Sequence, residues 1–318
     1  MQTLRFASSA IAARYPLPTL GPLAWSQREG GWTATVALPD LPNDSIVVPS
    51  CAVPGRPRAD FAVDLTVDGA RWGLAPTIVA TKPTQPNTVS EQTPTASDPR
   101  ATTHIDYFHC RADLAGATAH VTVTGAEIPR DYLVSFSLRA FKTSPDSGRQ
   151  ATPRSIVPAI SQLTAPRALR HRICSPTCVA MVLAYHGVAD SLLHVAQSCL
   201  HVPSGIFGVW PLAVRTLTDA GLVAGVECFD DLDAAAPLLA RGLPVVASIR
   251  FAAGALPGSP LNGTDGHLVV VTGFDADCVY VNDPAARDAS VVPRAYPRAA
   301  FAAAWLTERG AAYVAAPL

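Results

Sequence analysis

The hydrophobic pattern of this 318-residue chain changes period near residue 150, and that change constrains the fold more than any other feature. Before it, short runs with the alternation of half-buried strands occur at 32–38, 45–48, 61–67, 71–79, 103–110, 120–124 and 132–141. Turn residues separate them, and Asp68-Gly69 suits a tight hairpin. Residues 1–150 are therefore expected to form an antiparallel β-sandwich or small barrel. Between 82 and 100 the chain is crowded with Pro, Thr and Ser, which bury too little to offset their own ordering, so a long mobile loop is expected there. A polar stretch at 143–152 marks a boundary, with a second domain at 151–318.

Beyond the boundary, helical signals come first and strands follow. A helix is expected over 174–186, with Pro176 in its first turn and Gly187 as the capping residue. Further helices are expected at 190–199, capped by Asp190, at 211–221 and at 230–241. Strands then fit 244–251, 267–274, 279–282 and 312–315, with a short helix at 298–306 whose Phe301 and Trp305, four apart, would pack on the sheet. The order predicts an α+β domain built on an antiparallel sheet.

Hydrophobic residues make up 49% of the chain and charged residues 15%, the composition of an ordered globular protein. A formal net charge of −1 gives no electrostatic case for nucleic acid or for an anionic membrane surface. No apolar run reaches the roughly 20 residues of a membrane span, so a soluble protein is expected. Residues 1–13 make a poor secretory signal because Ser8 and Ser9 interrupt a weakly apolar stretch, and nothing points to a compartment. The seven cysteines show no C-x-x-C pair or zinc-type spacing, which argues against a disulfide framework or a structural metal. His104, His109 and Cys110 cluster in sequence, but strand alternation would turn the two histidines to opposite faces.

One cysteine has a chemical setting. Cys174 stands where an irregular segment meets a helix start, and the partial positive charge there stabilises a thiolate. An ordinary thiol, with a pKa of about 8.5, is only slightly ionised at neutral pH and needs that help and a basic imidazole. His267, after Gly266 at a strand start, is the candidate base; the glycine would let another backbone come close. Asp283 ends the next strand, and a short turn at 275–277 would bring the two together so that the carboxylate orients the imidazole. Asn282 is the neighbouring alternative, turned by alternation to the opposite face. Cys178, one turn after Cys174, is expected in the core, His171 on a surface loop and Asp265 in solvent.

The run Cys174-Ser175-Pro176-Thr177, continuing through Val179 to Gly187, resembles the nucleophile helix of papain-like bacterial cysteine peptidases, in the branch related to the bacteriocin-leader (double-glycine) peptidases. Matches continue at Gly266 to Asp275, at Val279 to Ala285, and at Tyr296, Phe301 and Trp305, so the resemblance covers about half of the chain. It implies Cys174 as nucleophile, His267 as general base and then acid, Asp283 as orienting residue, and Gln162 as an oxyanion-hole donor beside the Cys174 backbone N–H. Cys178 stands where the family has a small residue, and the chain lacks the G-x-x-x-x-G-K-[ST] loop of transporter-linked relatives. The expected activity is hydrolysis of a peptide or protein substrate without metal or organic cofactor. The alternatives are acyl transfer or isopeptidase chemistry at the same site, or a retired domain that only binds peptides. The first domain is expected to bind substrate or a partner, or to shield the cleft.

Overall fold

The computed structural model describes residues 2–57, 59–74, 98–145 and 148–318. The loop expected at 82–100 lies, up to residue 97, outside the described residues. The N-terminal part contains β1 (Gln2–Ala7), α1 (Ser9–Ala12), β2 (Trp25–Arg28), β3 (Gly31–Ala37), β4 (Ser45–Ala52), β5 (Phe61–Val67), β6 (Ala70–Leu74), β7 (Ala101–Thr103), β8 (Phe108–Cys110), β9 (Thr118–Thr124) and β10 (Leu133–Ala140). They make two five-stranded antiparallel sheets, ordered β1-β10-β4-β8-β7 and β2-β3-β9-β5-β6. Alternation explains their facing: Val63, Leu65 and Val67 of β5 point inward with Val121 and Val123 of β9, and meet Val47, Val134 and Phe136 of the other sheet.

The C-terminal part contains α2 (Cys174–Tyr185), α3 (Leu192–Ser198), α4 (Trp210–Asp219), β11 (Leu222–Cys228), α5 (Ala236–Ala240), β12 (Val245–Phe251), β13 (Thr264–Phe274), β14 (Cys278–Asn282), β15 (Pro293–Pro297), α6 (Arg298–Leu306) and β16 (Ala311–Pro317). Its six-stranded antiparallel sheet runs β11-β16-β12-β13-β14-β15. Helix α2 lies against β13 and α6 against β12. The arrangement is α+β. Among the described residues no helix is long and apolar enough to cross a membrane.

The two parts share a core. Every residue of β4 is buried, which fits its nearly unbroken apolar run. Val47 and Cys51 face the N-terminal core, whereas Ile46, Val48 and Ala52 join the core of the C-terminal part. Strand β11 would otherwise leave one backbone edge unpaired, and an open edge is a site of aggregation. Serine hydroxyls from the neighbouring sheet cover it: Val226 N–H donates to Ser50 (2.9 Å), Cys228 N–H donates to Ser137 (3.2 Å), and the Ser135 hydroxyl donates to the Val226 carbonyl. Glu227, fully buried on β11, accepts two hydrogen bonds of 2.9 Å from Arg5 and one of 2.8 Å from the Tyr15 hydroxyl. A Cβ at Gly225 would come within 2.9 Å of the Tyr15 oxygen, so a larger residue there would displace the phenol from Glu227.

Several elements differ from expectation. Residues 103–110 form no continuous strand; His104 N–H turns back to the Tyr107 carbonyl and splits the segment into β7 and β8. The bend also brings His104 and His109 to 6.2 Å between ring centroids, so they do not part to opposite faces. The helix expected at 190–199 starts later, because Ser191 takes the capping position and accepts the His194 N–H. The helix expected at 230–241 shrinks to a short 3-10 turn and α5. Strands β1, β2, β11 and β15 add to those anticipated.

Removing one partner of a buried, hydrogen-bonded ion pair strands the other charge, at a cost of about 3–5 kcal/mol. Arg5→Ala is therefore expected to lower unfolding free energy in urea by about that amount. A loss under about 1 kcal/mol, as for an exposed pair, would show that the junction does not depend on Glu227.

Candidate active site

Helix α2 begins at Cys174 without a side-chain cap. Its first turn is closed by the Ile173 carbonyl, which accepts both the N–H and the hydroxyl of Thr177. Pro176 fits in that turn because it has no N–H to satisfy. At the other end Gly187, at φ 78°, lets its own N–H reach the Ala184 carbonyl and the Val188 N–H reach Leu183, the paired bonds of a Schellman cap. Cys174, a partly exposed residue, thus sits at the electropositive end of a well-terminated helix.

Strand register brings the other two residues together. Val270 pairs with Asn282, so Asp283 falls beside Val269 and alternation turns it to the side of His267. The hairpin between them is held by Asp275, whose carboxylate accepts the N–H groups of Asp277 and Cys278. His267 Nε2 lies 2.8 Å from Asp283 Oδ1, which also accepts the Ala285 N–H at 2.9 Å. Asp283 Oδ2 accepts the Tyr296 hydroxyl at 2.6 Å. With Nε2 engaged, Nδ1 is the ring nitrogen left for the thiol of Cys174, which acts electrostatically on the imidazole.

Both His267 and Asp283 are buried, and burial opposes charge on each. For His267 the cost is overcome by the charge and hydrogen bond of Asp283 and by the Cys174 thiol, which hold its pKa well above the usual 6.5. For Asp283 it is overcome by His267, Tyr296 and the Ala285 N–H, which hold the carboxyl below its usual range. Burial likewise pushes the Cys174 thiol up, but His267 and the N–H groups of Leu268 and Ser175 bring it below the ordinary thiol range. The arrangement favours a thiolate–imidazolium pair. Cys178 is the contrast. Its thiol donates to the Leu268 carbonyl at 3.3 Å, and burial together with the charges of Cys174 and Asp283 keeps it protonated.

The remaining sequence candidates lie as follows. Gln162 is buried near the Asp283 turn, with its N–H on the Pro284 carbonyl. Its side-chain amide donates one hydrogen to the Arg170 carbonyl at 2.8 Å, leaving a second, and its Oε1 has no partner among the described residues. Asn282 points away from the imidazole and donates to the Val157 carbonyl, strapping the incoming chain to β14. His171 and Asp265 are exposed. Gly266 does not serve close backbone approach, since a Cβ there meets nothing within 4 Å, and β13 starts at Thr264 before it. The glycine whose Cβ would collide is Gly273, where the Pro153 carbonyl comes within 2.7 Å as the linker runs along β13. Tyr296 was legible only as part of the motif, without a role. Phe301 stacks on its ring at 6.1 Å and Trp305 backs Phe301 in turn.

The Peptidase_C39 like family model matches residues 155–313. The chain belongs to this family. The match spans half of the sequence and contains Cys174, His267, Asp283, Gln162 and Tyr296, so this C39-like part coincides with the part read as a papain-like cysteine peptidase. Among solved structures, a double glycine motif protease from an AMS/PCAT transporter, in complex with the leader peptide, is similar at 23% identity and a TM-score of 0.37, covering 54% of this chain and all of that one. A putative C39-like peptidase from Bacillus anthracis is similar at 20% identity and a TM-score of 0.40, covering 52% and 97%. No curated protein matches the sequence.

Iodoacetamide labelling of Cys174 is expected to set in below its ordinary range and to leave Cys178 untouched. In His267→Ala the burial penalty remains without its main compensation, so the limb should move up to the ordinary thiol range or beyond it. A limb unchanged in that variant, read by mass spectrometry, would refute the coupling of thiol and imidazole.

Proposed function

We propose that residues 151–318 act as a cysteine peptidase that hydrolyses peptide bonds through a thioester on Cys174, and that residues 1–150 are a β-sandwich-like accessory module. The observation that carries this reading is the buried 2.8 Å hydrogen bond between His267 and Asp283, with the helix-terminal thiol of Cys174 electrostatically coupled to the same imidazole. Membership of the C39-like family supports it, and supports a polypeptide as substrate.

In the proposed reaction the Cys174 thiolate attacks the scissile carbonyl carbon. The carbonyl oxygen takes up the negative charge and is met by the Cys174 backbone N–H and the free amide hydrogen of Gln162. The tetrahedral adduct collapses as the C–N bond breaks, with the Nδ1 proton of His267 passing to the leaving amine. His267, now neutral, takes a proton from water, whose oxygen attacks the thioester. Release of the carboxylic acid returns the sulfur as thiolate and His267 as imidazolium. Asp283 keeps its charge throughout; it holds Nε2–H and so fixes which nitrogen faces the sulfur. Tyr296 and the Ala285 N–H steady the carboxylate.

The accessory module, in this reading, completes the peptidase part physically. It covers the β11 edge and neutralises Glu227. Recruitment of substrate by the same module would add to that role.

Cys174→Ala is expected to abolish cleavage of a peptide substrate while leaving the fold intact, and undiminished turnover would sink the assignment. Wild-type kcat/KM is expected to be bell-shaped in pH. Activity falls at low pH as the Cys174 thiolate, whose pKa is depressed, is protonated. It falls at high pH as His267, whose pKa is raised, loses the proton it must donate. Product analysis with an added amine separates hydrolysis from acyl transfer. An unreactive Cys174 with retained peptide affinity would instead indicate a binding domain.

A further inference from the structure

The hydroxyl of Ser175, the residue after the proposed nucleophile, stands 3.0 Å from the phenol oxygen of Tyr313, and both side chains are buried. The Ser175 backbone N–H is also among the groups that favour the thiolate of Cys174. Serine in a helix commonly turns its hydroxyl to a nearby backbone group. Here the hydroxyl reaches across to β16 instead. That strand lies between β11 and β12, and Tyr313 pairs with Val226 on one side and Val246 on the other, so the phenol is carried on a rigid part of the sheet.

A helix terminus set against a sheet can still turn about its axis or slide along it, and either motion would draw Cys174 away from His267. Near its start helix α2 has two side-chain anchors that oppose this, besides the Tyr185 hydroxyl on the Gly242 carbonyl at its far end. The Cys178 thiol is tied to Leu268 on β13, the strand that carries His267. Ser175 is tied to Tyr313 on β16, from a position about 100° round the helix from Cys174. Anchors on two different strands fix both rotation and translation of the first turn. The phenol stays protonated because burial, with the charges of Asp106, Cys199 and Cys174, raises its pKa well above the usual 10, so it remains able to hydrogen-bond the serine in either sense.

We propose that Tyr313 is a positioning residue for the Cys174–His267 couple, acting through Ser175 to fix the first turn of α2, which carries the sulfur. This rests on the reading of Cys174 as the nucleophile. Tyr313 touches neither the sulfur nor the substrate in this role.

The test is iodoacetamide labelling of Cys174 across pH in the full chain, read by mass spectrometry for wild type, Tyr313→Phe, Ser175→Ala and the double variant, with a thermal unfolding curve for each. Tyr313→Phe keeps the ring and removes only the hydroxyl. In both single variants the acid limb should rise by about half a pH unit, roughly a threefold slower labelling on the limb. The double variant should shift no further than either single one, since all three lose the same hydrogen bond. A folded Tyr313→Phe whose limb coincides with wild type overturns the proposal, as do shifts that add in the double variant. Ser175→Ala carries the same test should Tyr313→Phe fail to fold. A wild-type limb at the ordinary thiol value would instead overturn the reading of Cys174 as nucleophile, and the positioning role with it.

Discussion

A carboxylate buried as completely as Asp283 is tolerable only when donors replace the water it has lost, and the C-terminal part is organised around supplying them. Three converge on it: His267, the Tyr296 hydroxyl and the Ala285 N–H. Each comes from a different structural feature, the strand β13, the edge strand β15 and the turn after β14. The aromatic series Phe301 and Trp305 on α6 then packs behind Tyr296, so the hydrophobic core and the polar site share a wall. Once Asp283 is held as an anion, the imidazolium is favoured, and once the imidazolium is present, so is the thiolate. The chemistry at the surface is set from the core outward.

The same logic governs the junction with the N-terminal part. Glu227 is another fully buried carboxylate, and its donors, Arg5 and Tyr15, come from the first residues of the chain. The sheet that bears β1 and β10 also presents serines to the open edge of β11, and Arg139 donates to the carbonyls of Phe229 and Leu306. Polar groups that would otherwise be stranded at the rim of the six-stranded sheet are matched across this junction. The β-rich part is therefore bound to the C39-like part by shared burial as well as by the linker. The linker itself is strapped down, with Ser155 N–H on the Thr272 carbonyl and Asn282 on Val157.

What was legible in the sequence follows from how local each signal is. The thiol at the start of α2, its proline and its terminal glycine lie within a few turns of one another, so the helix and the cysteine at its start could be read directly. His267 and Asp283 are linked by a hairpin, and two-residue alternation was enough to bring them together. Tyr296 reaches Asp283 only through the pairing of Val279 with Tyr296, a register that no local pattern specifies. Strand β11 escaped notice because Gly225 and Glu227 break its apolar run, and their reasons lie with Tyr15 and Arg5 in a distant part of the chain. Strand β15 is bounded by Pro293 and Pro297, residues tolerated there because it is an edge. Gly266 misled because a glycine beside a histidine suggested crowding, whereas the backbone there is open.

The most direct test of the account is the protonation state of the His267 imidazole, read from its ¹⁵N chemical shifts across pH in the intact protein. Held between Asp283 and the Cys174 sulfur, His267 is predicted to lose its proton only at about pH 10, well past the ordinary histidine value of about 6.5, and to lose it at lower pH once Cys174 is alkylated. An imidazole already neutral at about pH 7, with no response to alkylation of Cys174, would contradict the account, because the buried carboxylate would then not be sustaining the ion pair on which the proposed chemistry depends.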